Sequence, residues 1–264
     1  MKTNFRLLAV TFTLLCASLA GCFGDDEVDS GEYDGPIDLI VYYDTTAGMI
    51  ETSENNGQTG PTTGVELSFD FADTTSDDGS ITKIMIEPDD GSDPVEGDPA
   101  DNAVISYTWM THGVFTVTLT AEDDEGNSHS MMVKVKIDMH IVWTETNTAS
   151  ASMQFDATPD CEDGDPLPDR ITISSTVENP GQIFGGNSDV AWSLNNPNEE
   201  EIASGSGTLG NGASETWDYT TRDIVEGFWT LNVEVTNGDD VNVNNDVTIA
   251  YAEGAEDPTN SRPE

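Results

Sequence analysis

Apolar and polar residues alternate along most of the chain. Val65, Leu67, Phe69 and Phe71 interleave with Glu66, Ser68 and Asp70, and the same period of two recurs in VFTVTLT (114–120), MVKVKI (132–137), ITISSTV (171–177) and WTLNVEV (229–235). These runs are rich in Val, Ile, Thr and aromatics and are separated by Gly, Asn and Asp turns, which is the pattern of half-buried strands. No window carries a sustained i, i+3, i+4, i+7 apolar stripe. The fold class is therefore all-β, and the strand spacing predicts two tandem sandwiches of about 100 residues each. They are expected over 36–138 and 139–252, with a join near Asp138. Residues 38–43 are expected to add an edge strand, and 45–64 reads as a polar loop. A hairpin over 141–146 and 151–155 belongs to the second sandwich or to its connecting edge.

The first residues follow another pattern. Lys2 and Arg6 precede the apolar stretch LLAVTFTLL (7–15), and the small residues Ala17, Ser18, Ala20 and Gly21 come next. That is the grammar of a secretory signal, here residues 1–21. Leu19-Ala20-Gly21-Cys22 resembles the prokaryotic lipobox. The resemblance implies cleavage before Cys22 and attachment of a diacylglyceryl group to its thiol; the alternative is an ordinary cleavage site followed by an incidental cysteine. Residues 22–35 are Gly-rich and acidic and read as a flexible tether. The segment EGAEDPTNSRPE (253–264) has the composition of a disordered tail.

Charge narrows the partners. The 264 residues carry 51 Asp and Glu against 8 Lys and Arg, and the formal charge of −43 becomes −45 once Lys2 and Arg6 leave with the signal. Nucleic acid is excluded as a partner, because phosphate binding needs clustered cations. An anionic bilayer would repel such a chain, so the lipid has to hold it at the extracytoplasmic face of the cell membrane. Adaptation to saline surroundings is one reading of the acidity, since salt screens such charge. Calcium binding by Asp-rich loops is the other. Of the three cysteines, Cys16 leaves with the signal and Cys22 takes the lipid. Cys161 alone cannot form an internal disulfide.

Two stretches resemble known modules. Leu67-Ser68-Phe69-Asp70, the turn Ser76-Asp77-Asp78-Gly79-Ser80-Ile81, then Tyr107, the strand Gly113–Thr120 and the turn Asp123–Asn127 follow the order of a PKD (polycystic-kidney-disease-like) domain. The family's Trp-Asp-Phe-Gly-Asp-Gly segment stands here as Ile86-Glu87-Pro88-Asp89-Asp90-Gly91, keeping the Asp-Gly turn and losing both aromatics. A generic immunoglobulin-like sandwich is the alternative. In the second half, Val177-Glu178-Asn179-Pro180-Gly181, the turn Gly210-Asn211-Gly212 before a central strand SETWDY (214–219), and an Asn-rich hairpin turn at 243–246 are similar to the adhesion-related CARDB domain. Both resemblances imply immunoglobulin-like β-sandwiches.

Candidate chemistry is sparse. His112, His129 and His140 have no zinc-like spacing and read as turn or strand-surface residues. There is no Gly-x-Ser-x-Gly elbow, and the chain is read as a non-enzyme without a resident cofactor. Calcium remains the open option, through Asp73, Asp77 and Asp78, through Asp123, Asp124 and Glu125, or through Asp160, Glu162, Asp163 and Asp165; each set offers several oxygens on a tight turn. Trp217 and Tyr219, two apart on one strand face, stack on a sugar if exposed and are core if buried. The leading expectation is a lipid-anchored cell-surface adhesion or ligand-binding module, contacting a surface protein or a carbohydrate. The alternatives are a carbohydrate-binding accessory protein of a secreted degradative system, or a structural spacer or subunit of an envelope complex.

Overall fold

The computed structural model describes residues 33–161, 166–183 and 185–263. The signal, Cys22 and most of the tether lie outside them, as do Glu162, Asp163 and Asp165. Among the described residues every helix or strand element is a strand. The first nine are β1 (Ile37–Asp38), β2 (Ala47–Asn55), β3 (Gln58–Thr59), β4 (Val65–Asp70), β5 (Thr75–Ser76), β6 (Ile81–Glu87), β7 (Val95–Gly97), β8 (Val104–Trp109) and β9 (Gly113–Asp123). A 21-residue β10 (Ser128–Thr148) follows. The rest are β11 (Ser150–Asp156), β12 (Arg170–Glu178), β13 (Ser188–Asn195), β14 (Glu201–Leu209), β15 (Ser214–Thr221), β16 (Phe228–Asn237) and β17 (Val241–Ala250).

β10 organises residues 35–264. One sheet runs β15-β12-β17-β10-β9-β6-β7, and the four-stranded sheet β11-β16-β13-β14 and the pair β4-β8 complete the two sandwiches. β9 pairs with residues 128–137 of β10, and β17 takes over at 139–148. Two cores result. Phe69, Ile86, Trp109, Phe115 and Val135 belong to the first, and Ile173, Trp192, Trp229, Leu231 and Val247 to the second. Alternation explains the division of faces: every second residue of β12 and β17 is buried, and its neighbours point outward.

Four expectations change. The polar stretch after Thr45 is not a loop but contains β2, a strand parallel to β10 from Ala47↔Lys136 to Asn55↔Thr144. It spans the hand-over from β9 to β17, where Asp138 lies, and so splints both sandwiches. Only Ile50 of β2 is buried, which is why no apolar alternation announced it. The edge strand expected over 38–43 is shorter: β1 pairs with β5, and Tyr42 and Tyr43 make single bridges to Asp70 and Asn260. The Asn-rich turn is not a turn. Residues 243–246 lie within β17, with Asn245 facing the second core, and the chain reverses at Gly238-Asp239-Asp240 instead. The segment after 252 is not loose either: Asp257, Asn260 and Arg262 are bonded to the first sandwich.

Candidate functional site

The chain enters the folded body at one end of β10 and displays loops at the other. Ile37 pairs with Ser76, Pro36 O accepts from Asp77 N, and Ile37 O contacts His129 near the start of β10. At the far end of the strand, where Thr148 pairs with Val241, lie the turn at 149, the β12–β13 loop, the β14–β15 turn and the β16–β17 turn. With about 3.3 Å per residue, the 21 residues of β10 separate these ends by on the order of 60 Å.

Asn179 laces those loops together. It is fully buried, and its Nδ2 donates to Gly186 O at 3.0 Å, Ser188 Oγ at 3.1 Å and Leu209 O at 3.4 Å. Its main chain donates to Ala213 O and accepts from Gly212 N. Ser188 Oγ in turn donates to Asp239 O, and Asp239 Oδ2 accepts from Gly186 N. Asn211 exchanges two hydrogen bonds with Gln182. Gly238 has φ +107°, and a Cβ there would lie 2.1 Å from Asn187 O, so the turn admits no side chain. Ile183, on the β12–β13 loop, is 93% exposed.

The loops that carry the first two acidic sets meet at the entry end, through Ser76, Gly79 and Ser80 rather than through the first set's carboxylates. Asp123 Oδ2 accepts from Ser76 Oγ and Asn127 Nδ2, and its Oδ1 accepts from the amides of Glu125 and Asn127. These bonds, the Asn127 amide foremost, hold its pKa at about 2. Asp123 is thus a loop organiser whose oxygens are engaged. Asp124 Oδ1 accepts from Ser80 N, in a seat that Gly79 leaves open. Asp73 pairs instead with Arg262. Of the third set only Asp160 is among the described residues; it donates its amide to His112 O, at the opposite end of the first sandwich, away from this grouping. Among the described residues no three His, Cys, Asp or Glu side chains gather as a metal cluster.

Trp217 and Tyr219 lie on β15, which is an edge strand rather than a central one. Their rings are parallel, 5.7 Å apart, half-buried and packed against the second core. Gly205 of β14 makes room for the indole, since a Cβ there would lie 2.6 Å from Trp217 Cδ1. The pair closes the open side of the sandwich between β14 and β15, which commits much of its apolar surface to packing.

His112 is not a surface residue. It is buried at the seam between the sandwiches, with Nδ1 2.8 Å from the Tyr251 hydroxyl and Nε2 3.2 Å from Asp156 O. A carbonyl only accepts, so Nε2–H donates to it and Nδ1 accepts from Tyr251. Burial lowers the His112 pKa, against the opposing pull of the Asp156 carbonyl and of the Asp156, Asp160 and Asp138 charges. Burial likewise raises the Tyr251 phenol, which stays a donor. Above about pH 6.5, His112 is neutral folded and unfolded. Below it, the unfolded chain takes up a proton that the folded seam refuses, so stability falls with acidification until the folded-state pKa is reached. His112→Gln is expected to remove this dependence, at most about 1.4 kcal/mol per pH unit. Denaturant titrations of both proteins at pH 7.5 and pH 5 read the difference, and parallel losses in the two would refute the assignment.

Comparison with known families bears on the first sandwich. The PKD domain family model matches residues 52–137, from the middle of β2 to the hand-over in β10. The first sandwich carries a PKD-like domain. No curated protein matches the chain. Among solved structures, one from a study of the promiscuous specificity of carbohydrate-binding modules of the β-sandwich superfamily aligns 84% of this chain with 100% of its own at 14% identity and a TM-score of 0.31. A chain from the disulfide-linked pili of Bacillus endospore appendages aligns 44% with 86% at 12% identity and 0.24. A Bacteroides uniformis β-glucuronidase aligns 81% with 30% at 8% identity and 0.26. At such scores these likenesses carry no functional argument.

Proposed function

We propose that this is a lipid-anchored protein of the extracytoplasmic membrane face that acts without catalysis, presenting β-sandwich loops for adhesion or ligand contact. The observation that carries the reading is the polarity of the folded body. The chain from Cys22 enters beside β1 and β5, and the Asn179-laced loops lie at the opposite end of β10. A lipid at Cys22 and a self-repelling tether then leave those loops facing away from the bilayer. Two or three acyl chains supply the membrane affinity, at ~0.8 kcal/mol per buried CH2. With a formal charge of −43 over the whole chain, the protein surface opposes contact with anionic lipid.

Cys22→Ser is the decisive variant. It is expected to appear in the medium as a soluble, folded protein, whereas the parent stays in the membrane fraction and partitions into detergent. A Cys22→Ser protein that remained membrane-bound would overturn the anchor, and a parent recovered from the medium would do the same.

A further inference from the structure

The segment that follows Tyr251 is a strap laid from the second sandwich back onto the first. Asp257 N donates to Lys134 O at 3.0 Å, and its Oδ2 accepts from Lys134 N at 2.8 Å, so one residue pairs with the edge of β10. Thr46 Oγ1 donates to Asp257 O. Asn260 exchanges two main-chain hydrogen bonds with Tyr43, at 2.9 and 3.1 Å, and its Nδ2 donates to Val41 O. Glu256 lies 3.2 Å from Lys136 Nζ. Arg262 reaches Asp73 at 2.7 Å and Asp70 at 3.3 Å, with its guanidinium 5.3 Å from the centre of the Tyr42 ring.

What the strap lacks is apolar burial. From Ala252 to Pro263 no residue is buried, although Val41, Tyr43 and Thr46 beneath it are. Its own charge is net acidic, Glu253, Glu256 and Asp257 standing against Arg262, on a chain whose formal charge is −43. Two forces of different range therefore meet in it. The hydrogen bonds and contact ion pairs act at short distance, and exposed pairs contribute little each. The repulsion from the acidic body is summed over many charges and has a screening length of about 10 Å at 0.1 M salt and about 3 Å at 1 M. Salt screens the long-range term and, less completely, the exposed contact pairs, and leaves the hydrogen bonds.

We propose that residues 252–263 form an ionic-strength-gated strap, closed over Lys134 and Tyr43 in concentrated salt and released in dilute salt. Release frees the N–H and C=O of Lys134 and of Tyr43, opening part of the β10 edge and of the segment leading into β2. The β10–β2 pairing does not involve the strap.

Hydrogen exchange on the full mature chain in detergent tests this at about 0.1 M and 2 M KCl. The amides of Tyr43, Lys134, Asp257 and Asn260 are expected to gain at least about tenfold protection at high salt, beyond any gain at Val117 and Leu119 in β9. Arg262→Gln should shift closure to higher salt without altering the β9 amides. Equal gains at strap and β9 amides would mean global salt stabilisation and would overturn the proposal. Unchanged strap protection, or protection that falls with salt because the contact pairs dominate, would overturn it too.

Discussion

Trp109→Ala is expected to destabilise the first sandwich by about 3–5 kcal/mol, the cost of emptying a fully buried tryptophan site. Trp109 is 0% exposed on β8 and packs edge-on against Tyr107, with ring centroids 4.8 Å apart, and beside Phe115 at 6.1 Å. Its Nε1 donates to Pro88 O at 3.2 Å. That carbonyl belongs to the segment Ile86–Gly91, which has no aromatic residue, so an indole from β8 packs beside it. Tyr107 adds a second tie, its hydroxyl donating to Asp90 Oδ2 at 2.5 Å. Trp109→Phe keeps a ring but leaves Pro88 O without its donor, and should cost less than the alanine variant while still costing about 1 kcal/mol or more. Chemical denaturation followed through β6, β8 and β9 amides measures both. An alanine variant within 1 kcal/mol of the parent would show that the first core does not depend on this indole.

Asn179→Asp is expected to be worse than Asn179→Ala. The alanine variant removes the donor that Gly186 O, Ser188 Oγ and Leu209 O share, costing about 1–3 kcal/mol for groups left unpaired. Aspartate has the same shape, cannot donate when ionised, and places a charge at a site of 0% exposure beside carbonyl oxygens. Its loss should reach about 3 kcal/mol or more unless the carboxyl stays protonated, which would appear as stability recovered on acidification. Melting temperature and protease cutting within 179–187 and 210–213 read the effect. Loops that remain uncut in both variants would place their order elsewhere, in the Asn211–Gln182 and Asp239 bonds. The loop presentation we propose rests on this lacing.

The sequence by itself determined the strand class, because period-two alternation is a local property that survives in any tertiary context: β4, β9, β12 and β16 lie where VELSFD, VFTVTLT, ITISSTV and WTLNVEV place them. The motif order that matches the PKD model was legible too, since Gly79 and Asp124 are turn residues, and Ser76 and Asp123 strand-end residues beside them, whose chemistry is written in their identity. The Cys22 motif is likewise legible only in sequence, as it lies outside the described residues. Tertiary structure alone decided what depended on partners distant in the chain. β2 is a strand because β10 offers it a parallel edge, not because its side chains alternate. Asn245 reads as a turn residue and is a core residue, because β17 pairs on both sides. His112 reads as a surface turn and is buried, because Tyr251 and Asp156 arrive from 139 and 44 residues away. The tail reads as disordered because it has no large apolar residue to bury. It is held by hydrogen bonds and ion pairs to Lys134, Tyr43 and Asp73, which composition does not record. Burial is patterned locally and can be read, whereas hydrogen-bond partners are chosen by the fold.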